Sequence, residues 1–123
     1  MKRILVDAVV GVAVACCVTG VARAHEGNGD SETVQTIQGE LVDLACYLGH
    51  GGKGEKHKAC ATSCAKNGLP IALLDKDNTL TIVIGDHKPM NAELADKMGT
   101  TVKLTGEVSS RSGVKIIEVS KVQ

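Results

Sequence analysis

Three cysteines and two histidines crowd into one stretch of this chain, residues 41–70 (LVDLACYLGHGGKGEKHKACATSCAKNGLP), and their joint chemistry turns on a fold that brings this stretch back on itself so that they converge. At its centre stands His57-x-x-Cys60-x-x-x-Cys64. Alanines at 59, 61 and 65 favour a helix there, predicted over residues 55–66. Glu55 suits its first turn and Lys66 its last, Asn67-Gly68 supplies a left-handed stop, and Pro70 blocks continuation. Side chains on a helix advance roughly 100° per residue, so Cys60 falls about 60° from His57, and Cys64 within about 20°. One imidazole and two thiols then share a stripe. Cys46 is expected to arrive from the preceding strand, across a loop at residues 48–54 that holds four glycines and can fold back. Three sulfurs and a nitrogen, Cys46, His57, Cys60 and Cys64, form the ligand set of a soft metal site.

The cysteine count strengthens the point. Residues 1–24 read as a secretory signal peptide: Lys2 and Arg3 are basic, residues 8–22 are apolar but short for a bilayer, and Ala22-Arg23-Ala24 is an A-x-A cleavage site. An uncleaved anchor, or lipoprotein processing at Cys16 after Ala13-Val14-Ala15, are the alternatives. Cleavage removes Cys16 and Cys17 and leaves an odd set: Cys46, Cys60 and Cys64. A periplasmic or secreted location favours oxidation, and a pure disulfide framework wants an even number. Residues 25–32, HEGNGDSE, read as a flexible leader. Its His25 would offer an amine and an imidazole, which can hold copper, or is simply the first residue of a tail.

Residues 33–123 make one small domain. With one Tyr, no Phe and no Trp, its core must be aliphatic, and a metal or disulfide tying its loops would help it. Strands are expected at 33–43, with a bulge around Gly39, then at 71–74, at 79–85 with Leu80, Ile82 and Ile84 on one face, at 101–109 with Val102, Leu104 and Val108 inward, and at 114–122. Residues 86–89 read as a loop, and Asn91 as the cap of a short helix running to 97 and closed by Gly99. Gly106 marks a bend. The expected class is mainly β (α+β): a five-stranded, partly open OB-like barrel with a Cys/His-bearing helix after the first strand and a second short helix.

The pattern Gly39-x-Leu41-Val42-Asp43-x-x-Cys46, then His57-x-x-Cys60-Ala61-x-x-Cys64, then Gly68-x-Pro70, resembles a group of small exported bacterial proteins with an OB-like C-terminal part. The resemblance implies fold and location and carries no activity.

Four Cys/His ligands match structural zinc, whereas three-coordinate Cu(I) needs only three of them. His50 is a substitute ligand, and Asp43 a candidate acceptor orienting His57. The helix N-terminus with Lys56 or Lys58 is expected to lower the thiol pKa values. The metal-free alternatives are a structural disulfide or thiol-redox chemistry, for which Cys46 with Cys60 or Cys64 is an easier pair than Cys60 with Cys64 on one helix. A metal ion, a periplasmic metalloprotein or a thiol oxidoreductase are the partners these readings imply. An OB-type ligand module is the weakest reading. Nucleic-acid faces stack bases on aromatics and carry basic grooves, yet Tyr47 is the single aromatic. The formal charge is balanced at 14 against 14. Losing Lys2, Arg3, Arg23 and Asp7 with the signal leaves it at about −2. No nucleic acid, no membrane after cleavage and no catalytic motif is expected. His87 reads as a surface residue, Tyr47 as packing, and Met90 as filler unless it extends a copper site beside His87.

Overall fold

The computed structural model describes residues 33–123; the segments read as a signal peptide (1–24) and a leader (25–32), with His25, lie outside them. Six strands follow in the order β1 (Thr33–Asp43), β2 (Ile71–Leu74), β3 (Leu80–Gly85), β4 (Lys88–Pro89), β5 (Thr101–Arg111) and β6 (Val114–Val122). Side-chain alternation in β5 drives Val102, Leu104, Gly106 and Val108 inward and leaves Thr101, Lys103 and Glu107 out. The pairing order is β2-β1-β5-β6-β3-β4, and β2 also pairs with β3. Five strands therefore close into a ring, with β4 as an extra strand on β3. All pairings are antiparallel except β3 with β6, which run parallel. This is an OB-like barrel. It was expected partly open; the ring of pairings is complete, though the β2–β3 and β3–β6 seams are each only three residue pairs long.

The interior is aliphatic: Leu41, Leu73, Val83, Val102, Leu104, Val108 and Ile117 fill it. One end is stopped by Ala61 and Ala65 of a helix, α2 (Lys58–Lys66), together with Leu94 of a short α3 (Asn91–Leu94), Ala95 of the 3₁₀ turn after it (Ala95–Lys97) and Met98 just beyond that turn. Leu80, Ile82 and Ile84 do share a face, but it is the outer one, since Thr81 and Val83 point into the core. Leu80 is covered there by a second, small apolar cluster with Val42, Ala72, Leu74, Leu44 and Tyr47.

Several local expectations are corrected. β1 keeps register with β5 from Thr33 through Glu40, without a bulge at Gly39. That glycine instead serves close approach: a Cβ there would lie 2.4 Å from the Leu74 carbonyl oxygen. The register shift falls at Thr105/Gly106, where a bend was read. Lys88–Pro89 pairs with β3 and is not a loop. Asn91 does not cap its own helix. Its amide donates to the Ala65 and Leu69 carbonyls at 2.7 and 2.8 Å, so it satisfies the C-terminal end of α2. The helix predicted as one piece over 55–66 begins as a 3₁₀ turn, Glu55–His57, before α2. The largest correction concerns Cys46. It sits in the helix α1 (Leu44–His50), where a strand and loop were expected. Asp43 explains this: its side chain accepts from the Cys46 N–H at 2.7 Å, an N-cap bond, and Gly51 closes the helix in the left-handed conformation.

Candidate metal centre

Both helices lie between β1 and β2, and each is fixed by the barrel. In α2, Ala61 and Ala65 are one turn apart and buried against the core, which sets the roll of the helix. Cys60 and Cys64, each one residue earlier, are therefore turned about 100° away from that face. The end of α2 is a Schellman turn: Leu69 N–H donates to the Cys64 carbonyl and Gly68 N–H to that of Ala65, at 3.1 and 2.9 Å. Leu44 N–H then donates to the Pro70 carbonyl at 3.0 Å, which staples the start of α1 beside the end of α2. Cys46, in the first turn of α1, is thereby brought to Cys64, with the two sulfurs 3.8 Å apart.

Two donor groups result. Cys46, Cys60 and Cys64 offer sulfurs that all lie within 4.8 Å of one another, and Cys46, His50 and His57 offer one donor atom each within the same distance. Cys46 belongs to both. His50 ends α1 and His57 ends the 3₁₀ turn; their rings meet edge-on, centroids 5.2 Å apart at 69°. His50, named from sequence only as a substitute, is a full member of the second group. Cys60 is exposed, while Cys46 and Cys64 are half-buried free thiols. All five residues come within metal-binding distance as a cluster near the helices.

The loop between the helices fits closely over His57. Gly52 packs on its ring so tightly that a Cβ there would lie 2.6 Å from Nε2. That Nε2 is buried and has no hydrogen-bond partner. Glu40 of β1 accepts from the Gly54 N–H, and His57 N–H donates to the Gly54 carbonyl, so the loop is tied to the barrel on one side and to the 3₁₀ turn on the other. Asp43 does not orient His57 as expected: one carboxylate oxygen is committed to Cys46 N–H, and Oδ2 is buried without a partner.

Nor are Cys46 and Cys64 acidified by Lys56 or Lys58. The Asp43 carboxylate beside Cys46, then burial and the neighbouring thiols, push Cys46 up from its ordinary value to about 12. Burial raises Cys64 as well, with Asp43 and Cys60 adding and the Cys46 contact opposing. Lys58 is engaged with Glu55 at 3.8 Å, and its charge faces solvent screening. A pH dependence follows for the reduced, metal-free protein. Between the ordinary thiol value near 9.0 and about 12, the unfolded chain gives up the Cys46 proton while the folded one keeps it. The folded state thus binds more protons in that window, and stability falls as pH rises through it. Denaturant midpoints at pH 8 and pH 10.5 should show the lower value at the higher pH, and a Cys46→Ala variant should lose that part of the difference.

Among the described residues no helix is long and apolar enough to cross a membrane. Comparison with protein family models, curated proteins and solved structures finds no match for this chain.

Proposed function

We propose that this chain is an exported protein that holds a soft metal ion, Cu(I) or Zn, in its Cys/His cluster, either to brace the domain or to pass the ion on. The observation that carries the reading is the approach of Cys46, on its own helix, to Cys60 and Cys64 on another, all three sulfurs within 4.8 Å. Thiols gathered so closely in an oxidising compartment pair off unless something keeps them apart, and a bound soft cation does so. The imidazoles of His50 and His57 add the donors that copper and zinc accept. The export signal in residues 1–24 and the resemblance of the Cys/His pattern to small exported bacterial proteins support a periplasmic or secreted site of action.

A second reading has its own observation. The 3.8 Å contact between Cys46 and Cys64 would close to a disulfide with a modest shift, leaving exposed Cys60 as a thiol able to exchange with it. Cu(I) and Zn titration of the reduced mature protein against competing chelators separates the two. Tight binding, weakened in Cys60→Ser, is expected. Absence of binding, with a quantitative Cys46–Cys64 disulfide in protein recovered from the periplasm, would transfer the case to thiol chemistry.

A further inference from the structure

The two donor groups share one sulfur and differ in everything else, and this bears on how many ions the cluster takes. We propose that it is a two-ion Cu(I) centre in which the Cys46 thiolate bridges a sulfur-only position, Cys46–Cys60–Cys64, and a mixed position, Cys46–His50–His57. The inference rests on the soft-metal reading above and adds the nuclearity and the ion.

Each group is a triad, with donor atoms mutually within 4.8 Å. Three donors of sulfur and imidazole nitrogen complete the shell of Cu(I), which tolerates trigonal coordination, whereas structural zinc asks for four. A thiolate sulfur keeps lone pairs after binding one ion, so Cys46 can bind a second. Carried on α1, with its sulfur 3.8 Å from that of Cys64 on α2, it belongs to both sets.

An independent observation marks the mixed position as built for a ligand. His57 Nε2 is buried without a hydrogen-bond partner. Buried polar atoms are rarely left so, because desolvation is uncompensated. The loop that could have satisfied it presents Gly52 there, where any side chain would strike the ring. A cation bound at that nitrogen, with His50 and Cys46 completing its shell, would remove the deficit.

Charge points the same way. Three thiols release three protons on metallation, so one Cu(I) leaves the centre at −2 and two leave it at −1. The buried Asp43 carboxylate stands beside Cys46 and adds to the negative field. A second monovalent cation offsets charge that would otherwise be held in a half-buried place. Each position keeps one exposed donor, Cys60 in the sulfur-only set and His50 in the mixed one, so an incoming ion can reach both.

The test is native mass spectrometry of the reduced mature chain loaded anaerobically with excess Cu(I), which counts ions per chain and detects sharing between chains. Copper X-ray absorption on the same samples gives the coordinating atoms. Wild type is expected to carry two Cu(I) per monomer, with nitrogen among the donors and a copper–copper vector. The His50→Ala/His57→Ala variant should carry one, with sulfur donors only and no such vector. Should that variant fail to fold, His50→Gln/His57→Gln serves, checked by circular dichroism. Saturation of wild type at one ion, or two ions retained in the double variant, would overturn the two-ion centre while leaving metal binding intact. No uptake at all would remove both.

Discussion

Cys46→Ser is expected to weaken the tightest Cu(I) site by about 100-fold or more, a larger loss than Cys60→Ser produces. Even residues that only orient ligands cost 10–100-fold when mutated, so a ligand common to both groups should cost at least as much. The argument is one of membership. Without Cys46, Cys60 and Cys64 remain as two sulfurs one turn apart on α2, and His50 and His57 as two imidazoles, so neither set keeps three donors. Without Cys60, the group of Cys46, His50 and His57 survives whole. The fold should tolerate the serine, which keeps the backbone N–H that Asp43 accepts and changes little volume. Chelator competition on the two reduced variants side by side gives the ranking. Equal losses in both, or a larger one in Cys60→Ser, would mean that Cys46 is not shared.

Gly106→Ala is expected to cost about 3 kcal/mol or more, at the far end of what single substitutions do. The residue is buried in β5, between β1 and β6, beside the register shift at Thr105/Gly106. A Cβ would lie 2.1 Å from the Glu118 carbonyl oxygen and 2.7 Å from its carbon, both of them backbone atoms of β6 that cannot rotate aside. Making room means prising β6 from β5. A domain of this size has roughly 5–15 kcal/mol of stability to lose, so the denaturant midpoint should drop steeply. Gly49→Ala is the control: it lies in α1 with nothing within 4 Å of the added carbon, and there alanine should stabilise by about 0.5–1 kcal/mol. Similar midpoints for the two variants would mean that the β5–β6 contact at Gly106 yields easily.

The barrel was legible because its signals are local. Alternating side chains with turn residues between them delimit β1, β2 and β6, and the inward set Val102, Leu104 and Val108 follows from period two alone. Helix α1 was missed because glycines at 49, 51 and 52 read as a loop. The signal that could have found it is Asp43 three positions before Cys46, the spacing of an N-cap to the backbone it satisfies. The stripe of His57, Cys60 and Cys64 was readable from helical period, but the division of the donors was not. That depends on the roll of α2, set by Ala61 and Ala65 against the core, and on a loop folded over His57 by tertiary bonds to Glu40. The direction of the thiol pKa shifts was misread for a related reason. The lysines precede Cys60, Lys58 on α2 and Lys56 in the turn before it, and face solvent, whereas Asp43, the cap of the helix that carries Cys46, is buried beside that sulfur.

Helix α2 does two jobs, carrying sulfurs on one side and stopping the barrel with Ala61 and Ala65 on another. On the proposed metal-binding reading, cargo and durability are thereby tied, since whatever binds only the folded chain lowers the fraction open to proteases. On that reading, copies without an ion would be cleared first, and abundance would follow supply with no separate sensor. Pulse–chase turnover that is unmoved by a chelator would break that link.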